Sequence, residues 1–350
     1  MRGPVLNSSD IAGIRLASQR ISTACDSAAA AVAHMGAVQA QDHGSALWAI
    51  GLRTAGAGIA DVRTAIASHA VVRTWMLRGT LHFVAGADLR WMLALVAPRA
   101  IAAQAGRHRQ LELDESVFAA SRKLLAKALR GTTLTRSALF ALLDAKGIAT
   151  TGQRGIHILW RLAQDGLICF GAHEGKQPSF ALLDDWLPDA GPVLTRDEAL
   201  ATLAQRYFGS HGPATLADFA WWAGLTQADA KRGLAAAQGL EPCAIESASW
   251  SMAHGAQPQR VGGVHLLPGF DEYLLGYKDR GHVLAPQFAE RIVPGGNGVF
   301  KPMIVSDGQI VGTWQRSDCQ LEPFAPLGRA ESKALAAAVQ RYRAFCGAAP

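Results

Sequence analysis

The feature that most constrains this 350-residue chain is a pattern met three times: paired helix signals followed by a strand, a turn and a strand. In the first copy, Asn7, Ser8, Ser9 and Asp10 form an N-cap signal before Ile11, Ile14 and Ala17. Residues 26–41 are alanine-rich and read as helical by propensity. Gly44 and Gly56-Ala-Gly58 break the following segments, and Asp61 to His69 reads as a short helix. From Val71 to Val84, β-branched and aromatic residues flank Arg78-Gly79, which reads as a hairpin turn. In the second copy, Leu134–Lys146 and Gln153–Asp165 are the helices, and Leu167–Phe170 and Ser179–Leu183 flank a polar loop from Gly171 to Pro178. A weaker third copy has Leu216–Ala223 and Gln227–Ala237 as helices and Cys243–Met252 as its strands. Helix, helix, hairpin is the order of a winged helix-turn-helix. After about residue 255 the texture turns to β: Val264–Leu267, then Val299–Val305 and Gln309–Gln315 around the Asp307-Gly308 turn, before a closing helix Ala330–Cys346.

Composition narrows the function. Hydrophobic residues make up 49 % and charged residues 18 %, as in a globular chain with a sizeable core. No apolar run is long enough to span a membrane, and MRGPVLNSSD lacks a signal-peptide core. Five scattered cysteines form neither a CxxC nor a Cys/His cluster, so no metal site and no disulfide framework is expected. These features point to a reduced, cytoplasmic, monomeric protein with no cofactor. The net charge of +6 is segregated: residues 1–110 hold 11 Arg, no Lys, 5 Asp and no Glu, and the remaining 240 residues balance. Arginine suits forked recognition of phosphate, although a codon bias would also replace Lys by Arg. Charge alone leaves a nucleic-acid partner open.

Three sets of residues could carry chemistry. Gln39-Ala-Gln41-Asp42-His43 concentrates polar groups after an alanine-rich stretch. On a regular helix positions i and i+2 diverge by about 200°, so Gln39 and Gln41 can cooperate only where the backbone leaves the helix. An ordinary polar C-terminal turn is the plainer reading. Arg154, His157 and Arg161 share one face of a helix, as DNA recognition needs, and equally as a solvated face would show. Asp271-Glu272 could be an acid/base pair, or could fix a turn or pair with Lys278 and Arg280. No G-x-S-x-G, Walker A, HExxH or dinucleotide fingerprint is present.

Four motifs in order resemble the AlkZ/YcaQ-type DNA glycosylases: Gln39-Ala-Gln41-Asp42, Arg73-Thr-Trp-Met-Leu-Arg-Gly-Thr-Leu-His82, Leu267-Pro-Gly-Phe-Asp-Glu-Tyr273, and Gly298-Val-Phe-Lys-Pro302 through Gly308 to Trp314. The resemblance covers residues 7–345. It implies an α+β fold of three tandem winged helix-turn-helix units (1–108, 109–190, 191–257) plus a C-terminal β-barrel-like domain with the terminal helix (258–350). It implies hydrolysis of the N-glycosidic bond of alkylated purines in double-stranded DNA, with crosslink unhooking in some members. Gln39 and Gln41 would hold the attacking water and Asp42 would assist. The hairpin carrying Arg73, Trp75, Arg78, Thr80 and His82 would meet DNA, with Arg154, His157 and Arg161 as further contacts. The YcaQ branch has Asp at the third motif position; Gln41 sets this chain nearer the AlkZ branch. The competing expectations are a non-catalytic winged-helix DNA-binding regulator and a hydrolase centred on Asp271-Glu272.

Overall fold

Many of the helices begin where a polar side chain accepts one of the four free N–H groups of the first turn. Ser27, Asp42, Asp114, Thr135, Thr195, Thr215 and Thr226 all do so. The computed structural model describes residues 6–174, 177–189, 191–245, 248–257 and 263–347. The order begins α1 (Ser8–Ser18), α2 (Ala28–Met35), β1 (Val38–Gln39), α3 (His43–Leu52), α4 (Ile59–Ala67), β2 (Val71–Trp75) and β3 (Leu81–Ala85). The long α5 (Gly86–Gln110) follows. Next come α6 (Glu115–Ala128), β4 (Leu134–Thr135), α7 (Arg136–Asp144), α8 (Arg154–Gln164), β5 (Ile168–Glu174), β6 (Gln177–Leu182) and α9 (Leu183–Trp186). A third run holds α10 (Arg196–His211), α11 (Leu216–Ala223), α12 (Gln227–Ala236), β7 (Leu240–Ile245) and β8 (Ala248–Ala253).

The topology repeats. A short strand pairs with the second strand of the following hairpin, giving sheet orders β1-β3-β2 and β4-β6-β5. In the third run a single antiparallel bridge, Ala214 to Ser251, takes the place of the short strand beside the β7–β8 hairpin. Helix, short strand, two helices and a hairpin thus recur three times.

The last part contains β9 (Val264–Leu267), α13 (Glu272–Leu275), α14 (Ala289–Ile292), β10 (Met303–Ser306), β11 (Gln309–Trp314), β12 (Leu321–Pro323) and α15 (Arg329–Phe345). Its strands form an antiparallel sheet in the order β12-β11-β10-β9. That sheet is open. No closed barrel is found among the described residues, which corrects the barrel-like expectation.

Local differences from the sequence reading have physical causes. The expected helix over 26–41 stops at Met35, because Gly36 turns the chain at φ +75°. His43-Gly44 opens α3 rather than ending a helix, since Asp42 is its N-cap. The second hairpin closes more tightly than a Gly171–Pro178 loop, with residues 175–176 outside the described ones. The expected boundary at 255–260 also falls partly outside them.

The cores cross the expected divisions. One joins Trp48 and Val62 from the first run to Leu266, Ile304, Trp314, Tyr342 and Phe345 from the last. The Trp48 and Trp314 indoles donate to the carbonyls of Leu266 (2.7 Å) and Leu267 (2.8 Å), so each buried ring also satisfies its polar edge. A second core joins Met76, Leu89 and Trp91 to Leu203, Phe208 and Trp222.

Candidate active site

β1 carries the Gln-Ala-Gln segment. Its register pairs Val38 with Phe83 and Gln39 with His82. The ladder continues as Ala40 N donates to Leu81 O (2.7 Å), and Leu81 N in turn donates to Gln41 Oε1 (3.3 Å). The segment is therefore extended, and Gln39 and Gln41 emerge on one side of it, as cooperation requires. Gln39 is 9 % exposed and Gln41 lies open to solvent, so the pair runs from the interior to the surface. Gln39 Oε1 is buried and without a hydrogen-bond partner among the described residues.

The free edge of β1 meets Glu272. Gln39 N donates to Glu272 Oε1 at 3.0 Å, and Trp222 Nε1 donates to Glu272 Oε2 at 2.9 Å. His211 Nε2 lies 3.5 Å from the same oxygen. Glu272 is 2 % exposed. Burial opposes its ionisation, but the contact with His211 first, and Arg78 further off, hold the carboxyl below the ordinary glutamate range. Burial pushes both neighbouring histidines down, His82 to about 4, so His82 is neutral at pH 7. His82 Nδ1 lies 2.9 Å from Thr80 O, a contact that in the neutral ring puts the proton on Nδ1 and leaves Nε2 as an acceptor.

Asp271, next to Glu272, has a different task. It receives Arg53 through both guanidinium nitrogens (2.9 and 2.8 Å) and caps α13 through Tyr273 N (2.9 Å). The pair fixes a turn through side-chain hydrogen bonds, with Arg53 as the partner rather than Lys278 or Arg280. Arg53 also donates to Gln19 Oε1 at 2.9 Å. Asp42 accepts from Ser45 N (2.6 Å) and pairs with Arg316 (3.0 Å), so its carboxylate is occupied at the head of α3.

The side chains of the β2–β3 hairpin expected to meet DNA also make contacts within the protein. Trp75 is buried against Phe170 and Phe180. Arg73 donates to Ala40 O (2.7 Å) and lies over Phe170. At the tip, Arg78 takes a left-handed conformation (φ 56°), donates to Trp222 O and lies 4.6 Å from the Trp221 ring. Gly79 is packed so closely under Trp160 that a Cβ there would come within 3.0 Å of the indole, whose Nε1 donates to Gly79 O. Thr80 is half-buried and donates to Leu77 O. The tip is thus wedged between the second and third repeats because aromatic side chains from both grip it.

The α8 face turns inward as well. Arg154 donates to the carbonyls of Leu111 and Glu112, and His157 packs edge-on to His108. Arg161 meets Asp165 and Glu115 and lies over Phe118. These are contacts with α5, α6 and the residues between them, and with Asp165 at the end of α8 itself.

The sequence reading missed the rim. Arg280 lies 4.9 Å from the Phe300 ring and 5.8 Å from Trp221, whose other cation is Arg78. Beside Asp42 opens a cleft of about 430 Å³, lined by residues that include Phe270, Phe300, Lys301 and Arg316. The Phe-Asp-Glu motif hinted at this region, but nothing local tied it to Gln39. Among the described residues no group of three or more His, Cys, Asp or Glu could hold a metal ion, and no helix is long and apolar enough to cross a membrane.

An extended glutamine pair backed by a buried carboxylate thus lies within three tandem repeats. The sequence model described as "DNA glycosylase AlkZ-like" matches residues 32–345, and the chain belongs to that family of DNA glycosylases. It is 29 % identical over 334 residues to the interstrand DNA cross-link repair glycosylase of Streptomyces sahachiroi, covering 88 % of each chain. Its fold matches the solved S. sahachiroi DNA glycosylase AlkZ with a TM-score of 0.83 at 24 % identity, over 99 % of this chain and 98 % of that one.

Proposed function

We propose that this glycosylase hydrolyses the N-glycosidic bond of N7-alkylated purines in duplex DNA and leaves an abasic site. Crosslinked duplexes fall within the same reading, since the S. sahachiroi relative is named for interstrand cross-link repair. The observation that carries it is the extended Gln39–Gln41 segment, with Gln39 anchored inside and Gln41 at the surface. N7-alkylation gives guanine a positive charge, so the base departs without being protonated. What remains is to place a water against C1′ as positive charge builds there. Gln39 Oε1 and the Gln41 amide would hold that water; positioning of this kind can contribute several kcal/mol. Amides are poor bases, which predicts weak activity on uncharged lesions. Asp42 orients α3 beneath the segment and is not assigned as the base.

The thrice-repeated topology supports reading the units as winged helix-turn-helix modules. Their first hairpin is used as an internal brace, and DNA contact falls to the rim around Gln41, Thr80, Arg280 and Lys301. Single-turnover excision from a duplex bearing one 7-methylguanine tests the proposal. Alkali-labile sites made by the wild type and lost in Gln39→Ala are expected; no excision from either this or a crosslinked duplex would overturn it.

A further inference from the structure

Two adjacent buried carboxylates are treated unequally. Asp271 is answered by the two-nitrogen embrace of Arg53. Glu272 is met by two neutral donors, Gln39 N–H and the Trp222 indole, and by a histidine 3.5 Å away. Among the described residues no lysine or arginine lies within ion-pair distance of it. A buried carboxylate without a full counter-ion is costly to the fold, and such groups concentrate where charge is used in chemistry. Here the unanswered charge sits directly behind the backbone of the glutamine proposed to hold the water.

Resting on the glycosylase reading, we propose that Glu272 is a positioning residue for the reaction. It clamps the edge of β1 so that Gln39 presents its amide, and its charge favours the positive charge that grows on the deoxyribose as the base leaves. The anion takes no proton and forms no bond; it acts through Gln39 and through its field. Its surroundings suit this. Of the ionisable groups packed around it, His82 is neutral near pH 7, burial pushes His211 down, Tyr207 and Tyr277 are buried phenols pushed up, and Arg53 is already committed to Asp271. Two further cations lie in the cluster: Arg78, turned to Trp222 O and the Trp221 ring, and Arg15, stacked on Tyr277 and donating to Pro213 O.

The test compares the full-length wild type with Glu272→Gln, which keeps an acceptor oxygen for Gln39 N–H and removes the charge. On a 7-methylguanine duplex, Glu272→Gln should lower the single-turnover rate about 10–100-fold, the scale of losing one preorganised electrostatic contact. Duplex affinity and burst amplitude should stay at wild-type values. An unchanged rate, or rate, affinity and amplitude falling together as in a damaged fold, overturns the inference. Should that variant not fold, Trp222→Phe decides. It withdraws one of the donors that fix the carboxylate, so the single-turnover rate should fall while duplex affinity stays at the wild-type value; an unchanged rate overturns the inference. A wild type that excises nothing overturns the function itself and this inference with it. Wild-type excision with an unaffected Glu272→Gln overturns this inference alone.

Discussion

Gln39 and His82 stand directly opposite each other on β1 and β3, and Thr74 on β2 stands opposite His82. Side chains so paired share a face, with Cβ atoms about 5 Å apart. All three carry a buried polar atom without a hydrogen-bond partner among the described residues: Gln39 Oε1, His82 Nε2 and Thr74 Oγ1. A polar row thus crosses a sheet that is otherwise apolar around it, and it ends at the glutamine.

The two glutamines should separate chemistry from binding. Gln39→Ala and Gln41→Ala are each expected to lower the single-turnover excision rate by about 100-fold or more while leaving duplex affinity within about threefold, because positioning and not contact area is lost. Rate measured at saturating enzyme, alongside a binding isotherm, checks this. A loss confined to affinity would assign the pair to DNA contact.

The stability of the fold should fall on acidification. His82 is buried and its folded value, about 4, lies below the ordinary 6.5. The unfolded chain therefore takes up the proton first, so the contribution of His82 is complete above about pH 6.5 and is lost as pH falls toward 4. By pH 5 the loss from this group is about 1–2 kcal/mol. Urea midpoints at pH 7 and pH 5 measure it. A His82→Asn variant should show a shallower difference between the two.

Asp271→Asn should destabilise the protein by about 3–5 kcal/mol, since it leaves Arg53 buried without its counter-charge. Chemical denaturation gives the number. A midpoint within error of the wild type would mean that the guanidinium's other acceptors, Gln19 Oε1 and Ala49 O (3.0 Å), suffice.

Arg154→Ala should leave duplex affinity within about twofold, because its guanidinium is spent on Leu111 and Glu112 carbonyls. Arg280→Ala, at the rim, should weaken binding at low salt and flatten its salt dependence by about one charge. Affinity measured across a salt series distinguishes the two.

What could be read from the sequence was local. The α11 helix, the Asp307-Gly308 hairpin and the turn at Arg78-Gly79 were legible because each is written in contiguous residues. The segment 26–41 misled because alanine propensity runs past the glycine that ends the helix. The role of the first hairpin was illegible for a different reason. Arg73, Trp75 and Arg78 carry the chemistry of DNA contacts, and only the arrival of Phe170, Trp160 and Trp222 from later repeats turns them inward. Gln39 and Gln41 were visible, whereas Glu272 was read only as one of a pair, since its contact spans 233 residues.

That span sets an order in time. At about 5–20 residues per second, residue 272 leaves the ribosome roughly 10–50 s after residue 39. The arginine-rich first third is complete long before the edge of β1 can be clamped. A nascent or prematurely terminated chain therefore lacks the contact that fixes the strand edge carrying Gln39. An activity that leaves abasic sites in the genome is withheld until nearly the whole polypeptide has been made.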